Sequence, residues 1–196
     1  MAADDQVPAG GPDPGDSASD GDDLVLITSG RRPSRWRRWA TRAWPAMRLT
    51  SSGIDFSPVY AGDFPWHVPW GPPMFSRYHR GPDGRTFYWC LYAPTVDGLD
   101  GLPPFIHRDW PMDESHVAAD YREMIKAAGI RKDDHERVQA ASSLAYFGTP
   151  IVINPYRATG SPKAEVDAVL RERSGGRCTL KPPEEGLLPV TRAPRF

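Results

Sequence analysis

The nine residues RTFYWCLYA (85–93) constrain the fold more than any other stretch of this 196-residue chain. In an extended strand successive side chains point to opposite faces. Phe87, Trp89 and Leu91 therefore share one face, and Tyr88, Cys90 and Tyr92 share the other. Large apolar groups on both sides require both faces to be covered, one by a core and the other by a helix, loop or partner. Just upstream, MFSRYHR (74–80) and the turn residues GPDG (81–84) supply the first arm and the bend of a β-hairpin. The chain must build a layered domain around that hairpin.

The flanking sequence supplies the layers. LVLIT (24–28) is a short apolar run of strand type, and in MRLTSSGIDFSPVY (47–60) Ile54 and Phe56 alternate with Asp55 and Ser57 as in a half-buried strand. FPWHVPW (64–70) runs into Gly71-Pro72-Pro73, which interrupts or bends any strand there. After a proline-rich loop (94–112), the spacing of Val117, Tyr121, Met124, Ile125 and Ala128 predicts a helix over 113–129 that stops at Gly129. A weaker helix is expected over 133–148, with DDHE at its acidic start. TPIVINP (149–155) reads as a buried strand. SPKAEVDAVLRERSG (161–175) reads as a helix with Ser161 as N-cap, Pro162 in the first turn, a stripe of Val166, Val169 and Leu170, and Gly175 at the end. Strands first and helices later indicate an α+β domain. The polar, Asp-rich residues 1–23 and the proline-rich residues 176–196 are expected to be disordered tails.

LTSSGIDFS (49–57), followed by VPW (68–70), resembles the corresponding motif of the bacterial pleckstrin-homology-like domains, and so does PIVINPYRATGSPKAEVDAVLRE (150–172). The resemblance implies a bent antiparallel sheet or partly closed barrel, one end covered by a C-terminal helix, and it brings no catalytic residues. Residues 24–175 would then form one domain of this kind with a largely helical insertion at 94–148. Gly71-Pro72-Pro73 departs from the pattern where the family strand would continue.

Charge is unevenly placed. Residues 1–23 hold seven aspartates and no base, whereas 24–48 hold seven arginines and no acid, so the two blocks can neutralise each other or compete for a partner. Written as a helix, residues 34–44 put Trp36, Trp39 and Trp44 on one face and Arg35, Arg38 and Arg42 on another. The leading expectation is that the indoles pack inward and the guanidinium face recognises another protein. An alternative is docking on an anionic membrane surface, to which each basic residue contributes about 1 kcal/mol. Nucleic-acid binding is disfavoured, because the rest of the chain is not basic. Tyr78, Arg80 and Tyr88 of the hairpin complete the expected binding surface.

Chemistry leaves fewer traces. No glycine loop has the spacing of a phosphate cradle. His107, Asp109 and His116 are too dispersed to predict a metal site, and no cofactor is expected. Two cysteines make no disulfide framework, and Cys90 reads as a buried small hydrophobe rather than a nucleophile. The expectation is a non-enzymatic module. An enzyme whose pocket draws on Tyr78, His79, Arg80, Tyr88 and Tyr92 is the weaker alternative. No segment reads as a secretory signal or a membrane-spanning helix, so the expected location is the cytoplasm, with the inner face of the membrane for the lipid-docking alternative.

Overall fold

The computed structural model describes residues 23–28, 46–58, 63–71, 73–81, 85–107, 114–182 and 188–189. The strands are β1 (Leu24–Thr28), β2 (Ala46–Leu49), β3 (Gly53–Ser57), β4 (Trp66–Pro69), β5 (Phe75–Arg80), β6 (Phe87–Tyr92), β7 (Ile151–Ile153), β8 (Ala158–Gly160) and β9 (Leu188–Pro189). The helices are α1 (Glu114–Ala127), α2 (His135–Phe147) and α3 (Lys163–Arg173), and a 3-10 turn, Pro155–Arg157, separates β7 from β8. Sheet A has the strand order β4-β3-β2-β1-β8 and sheet B the order β7-β6-β5-β9. Among the described residues all strand pairings are antiparallel except β5 with β9.

Register explains why sheet A has one dry face. Leu24, Leu49, Ile54 and Val68 lie in one row across four strands, and Leu26, Met47, Phe56 and Trp66 in the next row on the same face. These rows meet Met74, Tyr78, Trp89 and Leu91 of sheet B, Ala140, Ala141 and Leu144 of α2, and Val166 and Leu170 of α3 in one core cluster. Trp66 and Trp89 are its largest buried members. Burying an aromatic side chain of this size removes ~150–250 Å² from water, worth several kcal/mol at about 25 cal/mol per Å².

Gly53 has a steric reason to be glycine. A Cβ there would stand 2.2 Å from the Val68 carbonyl oxygen, so any side chain would force β3 and β4 apart. At the far end of the helical pair, Gly148 takes φ 71° and closes α2 with its N–H on the Leu144 carbonyl, a conformation open to glycine at little cost. Asp134 caps the start of α2 by accepting from Arg137 N at 3.1 Å, as the acidic DDHE stretch predicts.

The α+β class holds, and three finer expectations meet a different outcome. The expected bent sheet or partly closed barrel is, among the described residues, two sheets that do not close a barrel: β4 ends at Pro69, and Asn154 with the 3-10 turn hands the chain from sheet B to sheet A between β7 and β8. Ser161 is not the N-cap of α3. Its Oγ accepts from Val25 N at 2.9 Å, which prolongs the β1–β8 ladder, and Pro162 takes the cap position without a side-chain bond. Third, the chain stays packed beyond residue 176. Cys178 and Leu180 are buried, Arg177 O accepts from Ser76 N at 3.1 Å, and Asp167 Oδ1 accepts from Thr179 Oγ1 at 2.7 Å and Leu180 N at 2.6 Å. Hydrogen bonds to the Asp167 carboxylate of α3 and to Ser76 and Tyr78 of β5, rather than any periodic pattern, hold this segment.

Candidate functional site

The inner face of the hairpin passes from core to surface within two residues. Tyr78 pairs with Trp89 deep in the core, and Arg80 pairs with Phe87 at the rim. There the Phe87 ring meets Tyr156 with centroids 5.5 Å apart, and the Arg80 guanidinium lies 5.8 Å from the centre of the Phe87 ring. Arg85, Thr86, Phe87, Asn154 and Tyr156 line a cavity of about 320 Å³, near the lower end of small-ligand sites. Its rings supply flat apolar faces, and Arg85, Thr86 and Asn154 supply hydrogen-bond donors. None of the five is acidic. Tyr156, 54% exposed, is held by its N–H on Asn154 Oδ1 at 3.1 Å, an Asx turn that an Asn-Pro pair favours.

Both anchors of the Arg/Trp-rich connection stand at this end of the molecule. Thr28 pairs with Ala158, the residue after the 3-10 turn, and Ile27 pairs with Ala46. Arg35, Trp36, Arg38, Trp39, Arg42 and Trp44 themselves lie outside the described residues. The three hairpin residues separate. Arg80 is exposed at the groove. Tyr78 is buried and donates its hydroxyl to the Leu180 carbonyl, which is a structural role, and burial pushes its phenol above the ordinary range. Tyr88 is half-buried on the opposite face, against Phe147. Arg85, Thr86, Asn154 and Tyr156 escaped the sequence reading, although the Asn-Pro turn after an apolar strand was a usable sign of a surface corner.

A second polar constellation crosses the outer face of sheet A. Asp55 accepts from Arg48 Nη2 at 2.7 Å and from Arg48 Nε at 3.0 Å, and its other oxygen lies 2.7 Å from His67 Nδ1. Arg48 also approaches Asp23 at 3.7 Å and covers the Phe64 ring at 4.7 Å. A carboxylate on Nδ1 orients an imidazole as in a catalytic dyad. Here the ring packs over Gly53 instead, with Nε2 2.8 Å from where a Cβ would be. The row ties β2, β3 and β4 together.

The outer face of sheet B carries a buried network. Tyr92 donates its single hydroxyl proton to Phe147 O at 2.6 Å, so His79 Nε2, 2.9 Å from that hydroxyl, is the donor to it. Burial, aided by Arg77, lowers the His79 pKa to about 4, so the imidazole is neutral at ordinary pH. Both cysteines are buried and neither forms a disulfide. Burial raises Cys90 well above the usual thiol range and Cys178 to about 11, which leaves neither as a ready thiolate nucleophile.

Among the described residues no helix is long and apolar enough to cross a membrane, and no three His, Cys, Asp or Glu side chains gather as metal ligands. Comparison with family models, with curated proteins and with solved structures gives no match to this chain.

Proposed function

We propose that the chain is a non-enzymatic recognition module that grips an acidic protein segment at the rim groove. Arg35, Arg38 and Arg42, with Trp36, Trp39 and Trp44, belong to the connection between β1 and β2 and are part of the proposed recognition by their residue types. The observation that carries this reading is the composition of the described lining residues: two aromatic faces, an arginine and no acidic side chain among them, at the end of the fold where that connection is rooted. Exposed tyrosine and arginine are the residue types that dominate binding energy at protein interfaces. Pleckstrin-homology-like architecture is part of the proposal. Its support is the order of elements: a four-strand run β1 to β4, a second run β5 to β7 interrupted by α1 and α2, then α3.

The test is a titration of a glutamate-rich peptide containing one tyrosine into isotope-labelled protein, followed by NMR. Amide shifts should concentrate at Arg85, Phe87 and Tyr156. Tyr156→Ala should cost about 2 kcal/mol of binding, and Arg85→Glu should lower affinity about tenfold at low salt and much less at high salt. Binding indifferent to both substitutions would remove the groove.

The rooting of an arginine- and tryptophan-rich stretch beside the groove also favours a second reading, docking on anionic lipid. Vesicles containing phosphatidylserine separate the two. Salt-sensitive co-sedimentation that is lost in an Arg35/Arg38/Arg42→Glu variant but kept in Tyr156→Ala supports lipid docking over peptide recognition.

A further inference from the structure

We infer that residues 177–181 are a latched strap: fastened to Asp167, they close the outer edge of β5, and their release opens it to the same edge of a second copy. Among the described residues, β9 pairs with only His79 and Arg80 of β5. Ahead of those two residues the strap takes over. Ser76 N donates to Arg177 O at 3.1 Å, and Thr179 N donates to Ser76 Oγ at 3.0 Å. Trp89 Nε1 donates to Thr179 O at 2.9 Å, and the Tyr78 hydroxyl donates to Leu180 O. An open strand edge is a template for pairing with another chain, and the strap stands where a partner strand would.

The fastening is polar and concentrated on one group. Asp167 Oδ1 accepts from Thr179 Oγ1 at 2.7 Å and from Leu180 N at 2.6 Å, and Oδ2 lies 3.0 Å from Arg171 Nε. Arg171 Nη2 in turn donates to Thr179 Oγ1 at 3.1 Å. The buried apolar side chains of the strap are Cys178 and Leu180. Loss of the one carboxylate therefore breaks both strap bonds together, and the freed groups reach water. Segments held by few apolar contacts open at a lower free energy than the whole fold. The edge exposed in this way is compatible with itself. Ser76 directs its N–H outward, so Tyr78 and Arg80, on the same side of the strand backbone, do likewise. Two copies of β5 paired antiparallel about Tyr78 set Ser76 opposite Arg80 and Arg77 opposite His79. No arginine then faces an arginine across the pair.

The two buried cysteines report local and global opening separately, since Cys178 lies in the strap and Cys90 in β6. In the full chain, Asp167→Ala should make Cys178 react with an aromatic disulfide reagent about tenfold faster than in wild type, with Cys90 still protected. Sedimentation of this variant should show a concentration-dependent species of twice the wild-type mass. Adding Ser76→Pro removes an outward N–H from β5. Cys178 should then stay reactive while the heavier species vanishes. Should Cys90 open together with Cys178 in Asp167→Ala, the milder Thr179→Val variant decides. Reaction of Cys178 alone there supports the strap, and any other result overturns it. Unchanged Cys178 reactivity in Asp167→Ala overturns the latch. An open Cys178 without the heavier species, or a heavier species that survives Ser76→Pro, overturns β5 as the pairing edge.

Discussion

Sheets A and B solve the problem of covering their faces differently. Sheet A buries one face and leaves the other to an ion-paired row, Arg48, Asp55 and His67, each between buried and exposed. Sheet B has no such wet face along β6: Trp89 and Leu91 enter the main core, while Cys90 and Tyr92 are buried on the other side beneath the end of α2. Stability should therefore concentrate in sheet B, where a lost side chain leaves a hole. In sheet A's outer row a lost side chain lets in water. The candidate groove sits where the well-covered inner face of sheet B runs out, so Phe87, packed against the core, supplies one aromatic wall and exposed Tyr156 the other.

The largest expected effect follows from the hole. Trp89→Ala removes a fully buried indole whose Nε1 donates to Thr179 O at 2.9 Å, and denaturant unfolding should show a loss of about 3–5 kcal/mol. A loss near that expected of a surface site would erase the contrast between the sheets.

The next effect depends on pH. His79 is held neutral in the fold with a pKa of about 4, chiefly by burial and secondarily by Arg77, whereas in the unfolded chain it titrates near 6.5. Between those values the unfolded state binds more protons, so stability rises with pH. The contribution is fully present above about pH 6.5, falls as pH drops toward 4, and amounts to roughly 3 kcal/mol. Melting temperature measured against pH should lose this slope in His79→Gln. An unchanged slope would place the acid sensitivity in groups other than His79.

Asp55→Ala should cost least, about 1–2 kcal/mol, because Arg48 and His67 keep access to water once their partner is gone. High salt should shrink the difference between variant and wild type. A cost matching Trp89→Ala would mean that the outer row of sheet A is as closed as the hairpin.

The same contrast governs how much was legible in the residue order. The two-sided apolar pattern of 87–92 revealed a strand covered on both sides, and the alternation at Ile54 and Phe56 revealed one covered on a single side. Both are local consequences of a two-residue period. Helices α1 and α2 announced themselves through spacing and capping acids. The groove was not legible, because Arg85 to Phe87 and Asn154 to Tyr156 meet across nearly 70 positions of sequence. Ser161 has the residue type of a helix cap, and only the proximity of β1 diverts its hydroxyl to Val25.

The sequence by itself determined which segments extend, which coil and which of their faces must be dry, since these follow from side-chain period, turn residues and caps within a few positions. Only the tertiary structure decided that the strands stay in two sheets, that Asp167 captures residues 179 and 180, and that Tyr156 stands beside Phe87 at an arginine-bearing rim. Those outcomes depend on which distant groups arrive within hydrogen-bonding or van der Waals distance. No local pattern encodes that.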